Sequence, residues 1–347
     1  MQVTPDYIDA GTPSVAALSR FGRDALLEPT PIPASGQTAG GVALNAGYAY
    51  SYFAGEIGTT PLGFPVDNII GRIALMWPGP ATLTTAYPTI PLPPNGAVAN
   101  PLHVKVEGIR TPLTDSLLSF AGTRDPVSGQ IWGGVVKTGG DLLISYDDGY
   151  FGAYIGGGAS SLDGQAVASN SEVEGLVGAY IRPYRTTNTA LKVGLNLAYM
   201  GYDKNLDFFS FGQGGYFSPQ NYVNVSVPVE YTGRSGRLSW LAGAALGLQA
   251  FHASSSPYFP TDPSSQAILA ASGNPSVYPG QNVTGPSFFI NGQVEYQLDN
   301  GFSIGGLASV DNAQNYTEGI AKVYLRKSFG VMPANTAVFP NPFAGSL

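Results

Sequence analysis

Residues 221–231 read NYVNVSVPVEY, entered through a glycine- and aromatic-rich segment, FGQGGYFSPQ, at 211–220. From Tyr222 onward the stretch alternates almost without fault. Val223, Val225, Val227, Val229 and Tyr231 fall on one side, and Asn224, Ser226, Pro228 and Glu230 on the other. Period two belongs to a β-strand, whose successive side chains point to opposite faces. A strand with one apolar row and one polar row lies between two media. These are either lipid and a water-filled bore, or a dry core and bulk water, and alternation alone fits both.

Length favours the first. Segments of the same kind recur at 2–10, 41–49, 52–60, 66–77, 102–110, 133–147, 149–162, 172–184, 190–202, 222–231, 238–251, 287–298, 302–311 and 318–329. By the period-two criterion that is roughly fourteen candidate strands. Many exceed the ~5–6 residues of a soluble strand and match the ~9–11 that a tilted strand needs to cross a bilayer. Some connections are tight, such as DDG at 147–149, TGRSG at 232–236 and LDNG at 298–301. Others, at 78–101 and 253–286, are long and rich in Pro, Gly and Ser. Short turns on one side and long loops on the other are the arrangement of an outer-membrane barrel. One stretch, SVAALSRFGRDALL at 14–27, reads as a short helix or a loop, and no second domain is evident.

Composition agrees. Charged residues make up 11% of the 347, against about 25% in an average soluble domain. The hydrophobic share, 44%, is ordinary, and mean hydropathy is +0.05. Charge has therefore been exchanged for glycine and polar neutral residues rather than for aliphatic bulk. A net charge of −7 with no basic run argues against nucleic acid as a partner. The absence of cysteine removes disulfides, thiolate metal sites and thiol nucleophiles together. No run of 18 apolar residues marks a membrane helix, and MQVTPDYIDAGTPS lacks the basic and apolar regions of a secretory signal.

Catalytic chemistry finds little support. Outer-membrane phospholipases and proteases, which use His with Ser or Asp, are the rival class. The two histidines, His103 and His252, lie near strand ends and belong to no nucleophile motif such as G-x-S-x-G. GGGAS at 156–160 lacks the lysine and helix of a phosphate loop and reads as strand glycine. Asp147 and Asp148 precede Gly149 in a turn, where Asp is favoured by turn geometry alone. No catalytic residue, metal site or cofactor is expected.

Four longer blocks carry a family resemblance: FGQGGYFSPQNY at 211–222, LTDSLLSFAGTRDPVSGQIWGGVVKTGGDLLISYDDG at 113–149, LKVGLNLAYMGYDKNL at 191–206 and IGTTPLGFPVDNIIG at 57–71. In family order, they resemble the C-terminal barrel domain of the outer-membrane subunit of bacterial cellulose synthase, the cellulose export porin. The resemblance runs from about residue 3 to residue 329. It implies a bacterial outer-membrane, all-β, transmembrane antiparallel up-and-down barrel at 1–329 that exports cellulose without catalysis. About fourteen strands are visible here and sixteen are expected of the family. VTPDYIDAG resembles a point already inside that barrel, so one or two of the family's first strands are expected to be missing. An unclosed barrel would leave an unpaired edge in hydrocarbon. The partners implied are the cellulose chain in transit, outer-membrane lipid, the family's periplasmic repeat domain and the other synthase subunits. Residues 330–347 read as a tail, in the periplasm or folded back into the lumen, since prolines 333, 340 and 342 disfavour a strand.

Alternation then nominates the lumen. The polar rows place Glu174, Tyr180, Arg182, Lys192, Asn196, Asn224, Glu230, Glu295, Tyr324 and Arg326 along the expected polysaccharide path. These residues either contact the glucan or pair across strands to stabilise the wall. Gly212, Gln213, Gly214, Gly215, Tyr216 and Phe217 form the expected mouth loop, with Tyr216 and Phe217 stacking on sugar or anchoring the turn. A general porin for small solutes and a soluble carbohydrate-binding β-protein are the alternatives.

Overall fold

The computed structural model of the chain describes residues 2–11, 20–23, 37–50, 52–78, 101–273, 275–313 and 316–327. The helix or loop expected at 14–27 falls mostly outside them, and the tail at 330–347 wholly so.

Fourteen long strands form one closed antiparallel barrel among the described residues. The first five are β1 (Gln2–Asp9), β2 (Thr38–Tyr50), β3 (Phe53–Thr59), β4 (Ile69–Trp77) and β5 (Leu102–Pro112). A two-residue strand, β6 (Thr123–Arg124), pairs on the top of β7 (Ile131–Asp147). Next come β8 (Phe151–Gln165), β9 (Asn170–Arg185), β10 (Thr189–Tyr202), β11 (Asn221–Ser235) and β12 (Leu238–Ala253). A small ribbon of β13 (Ser256–Pro257) and β14 (Val277–Tyr278) precedes the last three, β15 (Gln281–Gln297), β16 (Phe302–Ala313) and β17 (Tyr316–Lys327). Every segment expected from alternation is a barrel strand, and β15 also takes in residues 281–286. Closure comes from β5 pairing with β7 and β1 with β17. The edge feared from a shortfall against sixteen is thus paired, but the seam is short: Gln2 opposes Arg326 and Val3 opposes Leu325.

The apolar rows face outward. Val223, Val225, Val227 and Val229 are exposed while Asn224, Ser226, Pro228 and Glu230 are half-buried against the bore. No dry interior gathers the aliphatic rows, so the alternation separates lipid from lumen. Aromatics band the outer wall at the turn end, among them Tyr48, Trp77, Tyr146, Phe151 and Phe302, with Tyr7 and Tyr199 toward the other rim. Inside, glycine makes room for rings lying flat across strands. A Cβ on Gly152 would stand 2.2 Å from Cζ of Tyr180, and one on Gly305 2.3 Å from Cζ of Tyr324.

One expectation about loops is corrected. Residues 79–100 lie outside the described residues, but the strand ends flanking 78–101 and those flanking 253–286 are at opposite ends of the barrel. Leu102 opposes Tyr146 beside the 148–150 turn, so the connection after Trp77 belongs to the end with the tight turns. Antiparallel up-and-down order dictates this, because successive connections alternate ends whatever their length. The other end carries the connections after β1, β3, β5, β8, β10, β12 and β16.

The connections after β5, β8, β10 and β12 meet in one apolar cluster: Leu113, Leu118, Trp132, Val135, Leu162, Leu206, Phe211, Tyr216, Phe259, Leu269 and Tyr278 are buried together, with Phe21 of the connection after β1 packed against them. Two helices brace it. α1 (Leu117–Ala121) is closed by a capping box of Ser116 and Ser119, and α2 (Pro263–Ala271) starts on Asp262, which accepts from the Ser265 amide at 3.1 Å. Because the contributing loops rise from separate gaps around the ring, the cluster forms a lid across the bore.

Candidate functional site

The lid is built around the segment quoted at the outset. Gly212 (φ +95) and Gly215 (φ +64) take backbone conformations that side chains disfavour. The turn they make packs Gly214 and Gly215 amides onto the Leu206 carbonyl at 3.1 and 2.9 Å. Of the two roles expected of Tyr216, stacking on sugar or anchoring the turn, its surroundings fit the anchor: it is 1% exposed, its hydroxyl accepts from Asn170 Nδ2 at 3.0 Å, and its ring packs against Tyr202. Gln213 is fully buried and donates to Ser256 Oγ (2.9 Å) and the Pro257 carbonyl (2.7 Å). Phe217 is half-buried, edge-on to Tyr222 and Phe251. These residues have been recruited to the apolar core of the lid, which offers more burial than a free loop would.

A cation ties the loops together. Arg23 bonds Asp125 Oδ2 and Asp262 Oδ2, both at 2.9 Å, and its guanidinium lies 3.5 Å above the Phe211 ring. One side chain therefore joins the β1–β2, β5–β7, β10–β11 and β12–β15 connections. Burial would raise the Asp125 carboxyl, but hydrogen bonds from Ser128 and Arg23 outweigh it and hold it below the usual range. Hydrogen bonds from Ser264 and Ser265 hold Asp262 low as well. Two other lid carboxyls go the opposite way. Burial pushes Asp115 up to about 6, although the Phe217 amide at 2.9 Å opposes it, and pushes Asp207 up to about 7, with Asp115 adding repulsion.

Below the lid, all ten candidates taken from the polar rows face the bore, and most are paired. Lys192 and Glu230, directly opposed on β10 and β11, bond at 2.7 Å. Arg182 forks onto both oxygens of Asp147, which also accepts from the Tyr180 hydroxyl at 2.7 Å. Arg326 pairs with Glu295, and the Tyr324 hydroxyl donates to the same carboxylate at 2.9 Å. Glu174 and Glu172 share Lys137, each at 2.9 Å. Asn196 accepts from the Tyr154 hydroxyl, and Asn224 donates to Ser287 Oγ at 2.8 Å. Sequence reading missed Lys137, Glu172 and the bidentate role of Asp147. Glu172 and Lys137 follow from the parity that found Glu174, whereas Asp147 looked like a turn residue because it also caps Gly149.

Of the two histidines, His252 lies on the outer face, its Nδ1 2.8 Å from Asn282 Oδ1 and its Nε2 3.4 Å from Ser254 Oγ, and His103 is buried on the inner face with neither ring nitrogen hydrogen-bonded among the described residues.

Comparison with known proteins agrees with this geometry. The sequence profile of the family "Cellulose synthase operon protein C C-terminus" matches residues 1–84 and 95–330. The chain belongs to this family. It is 35% identical over 300 residues to cellulose synthase operon protein C of Xanthomonas axonopodis pv. citri, covering 82% of this chain and 19% of that one. It is 34% identical over 320 residues to cellulose synthase 2 operon protein C of Komagataeibacter xylinus, covering 91% and 23%. With the Pseudomonas fluorescens protein the match covers 99% of this chain at 31% identity, but 25% of the relative. The chain thus spans at most about a quarter of the length of these relatives. Among solved structures, a "Bacterial polysaccharide outer membrane secretin" aligns with a TM-score of 0.43 at 10% identity, over 83% of this chain and 81% of that one. The outer membrane channel DcaP of Acinetobacter baumannii aligns at 0.32 and 10% identity, over 93% and 94%. Family membership and a lipid-facing closed barrel together place this barrel in the outer membrane.

Proposed function

We propose that this barrel conducts a neutral β-1,4-glucan, cellulose, from the periplasm to the cell surface, as the outer-membrane part of a longer protein working with the other subunits of a cellulose synthase complex. The lid end faces outward and the turn end faces the periplasm, the usual disposition of such barrels. The observation that carries the reading is the paired wall: Lys192–Glu230, Arg182–Asp147 and Arg326–Glu295 cancel charge in place. A polymer of neutral sugars needs many weak hydrogen-bonding stations rather than a charged trap, because a conduit must release what it admits. Glu174, Tyr180, Arg182, Lys192, Asn196, Asn224, Glu230, Glu295, Tyr324 and Arg326 line that path in this reading, at once bracing the wall and offering it dipoles. Export involves no bond made or broken in the barrel, and the synthase at the inner membrane pushes the chain.

The lid closes the bore at rest and opens for the polymer. The test is complementation: cells that make cellulose, deprived of their own operon protein C, receive the full-length protein carrying this barrel or one lacking it. Secreted alkali-insoluble glucan should return only with the barrel, and periplasmic glucan should accumulate without it. Equal secretion with and without the barrel refutes the reading. A general porin would instead pass small solutes equally whether cello- or malto-oligosaccharides are present.

A further inference from the structure

Among the described residues, one large apolar side chain of the inner wall is left open to the bore. In the run SFFIN at 287–291 alternation is lost, but the register is not. Ser287, Phe289 and Asn291 oppose Gly247, Ala245 and Gly243 on β12, and these share the face of Glu230, Pro228 and Ser226. Phe289 therefore points into the bore, and it is 40% exposed there. A phenyl ring left open in an aqueous bore gains none of the burial that ordinarily holds aromatics in place. Its neighbours across β12 and β11 are small, Ala245 and then Pro228.

Directly opposite Phe289 on β16 stands Asp311. Glu107, Asp147, Glu172, Glu174, Glu230 and Glu295 are each closed by a cation. Asp311, in contrast, has no ion pair and no partner beyond its own backbone amide among the described residues. It stands two residues from the lid-side end of β16 at Ala313, which sets the pair just beneath the lid.

We propose that Phe289 and Asp311 form a glucose subsite at the last station before the lid, a role that rests on the export reading. In β-glucopyranose every hydroxyl is equatorial, so each ring face presents C–H groups and the rim presents O–H donors. The phenyl face takes a C–H face, and the carboxylate accepts from rim hydroxyls, a charge-assisted contact. One aromatic and one acceptor hold a sugar residue in register without gripping it, as sliding transport requires.

The experiment is binding of cellohexaose, with maltohexaose as comparison, to the detergent-solubilised full chain, read by titration and by saturation-transfer NMR. Cellohexaose should bind with saturation concentrated on the H1, H3 and H5 protons of one face. Phe289→Ala should weaken binding about tenfold, the scale of one aromatic stacking contact, and erase that pattern. Phe289→Tyr should retain both, and Asp311→Asn should weaken binding while leaving the pattern. Because the phenyl is exposed, its removal leaves no core cavity, and unboiled gel migration verifies folding in each variant. Phe289→Ala binding as tightly as the parent, with the same saturation pattern, overturns the subsite. So does an absence of cellohexaose binding by the parent. Export itself is judged separately by the complementation experiment, so a barrel that restores secretion yet fails here loses the subsite alone.

Discussion

Replacing Arg23 with alanine should loosen the lid without loosening the barrel. The guanidinium contacts Asp125 and Asp262 at 2.9 Å, Ser128 Oγ at 3.0 Å and the Phe211 ring at 3.5 Å. Breaking a buried pair costs about 3–5 kcal/mol when the orphan is left bare. Asp125 would not be bare, since it keeps the Arg23 amide at 2.9 Å and the Ser128 amide at 3.1 Å, so this loss falls to about 2 kcal/mol. The cation–π contact adds about 1 kcal/mol, and the partly exposed Asp262 pair about 0.5 kcal/mol. A total of about 3.5 kcal/mol raises the open population roughly three-hundredfold, at 1.4 kcal/mol per factor of ten. Native-state hydrogen exchange reads this at two amides that stitch the loops, Gly22 to the Phe209 carbonyl (2.8 Å) and Phe211 to the Gly22 carbonyl (3.0 Å). Their protection should fall about three-hundredfold while β10–β12 amides keep theirs. A change under threefold, or an equal fall in the strands, would refute the reasoning.

Four other outcomes are expected. Val227→Arg, on the lipid face near the middle of β11, should lower the barrel's unfolding free energy in vesicles by about 2–4 kcal/mol, whereas Ser226→Asn on the inner face should cost under 1. Gly305→Val would drive a side chain into the Tyr324 ring and should lower denaturant resistance by about 1–3 kcal/mol, measured by gel migration against urea. Lys137→Met leaves Glu172 and Glu174 facing each other without their cation. It should cost about 3–5 kcal/mol, part of which returns when Glu174→Gln is added, again by urea titration. The lid should also be tightest in mildly acid solution. Asp115 and Asp207 have raised folded-state values, so their contribution is full below about pH 4 and lost as pH rises through about 6 and then 7. Asp125 and Asp262 are depressed, so theirs is held above about pH 4 and lost as pH falls further. Exchange of lid amides, corrected for intrinsic rate, should therefore slow from pH 8 to 5, and steady acceleration over that range would contradict the assignment.

By itself the sequence determined the wall. Period two along strands long enough to cross a bilayer assigns every residue of β11 to lipid or lumen, because a strand has only two faces and a one-residue slip would place Glu230 in hydrocarbon. The same counting nominated Lys192, Glu295 and Arg326 correctly as inward residues, and counting back in twos from Glu295 reaches Phe289 even through the unpatterned SFFIN run. Which inward charges meet was decided by register between strands distant in sequence: Lys137 finds Glu174 only because β7, β8 and β9 stack at one stagger. The fate of the FGQGGYFSPQ segment was likewise a tertiary matter. Loops carry no period, and Tyr216 is buried because connections from far around the ring converge on it. Local chemistry sets which face a strand side chain takes, but only closure of the ring sets which loops share a roof.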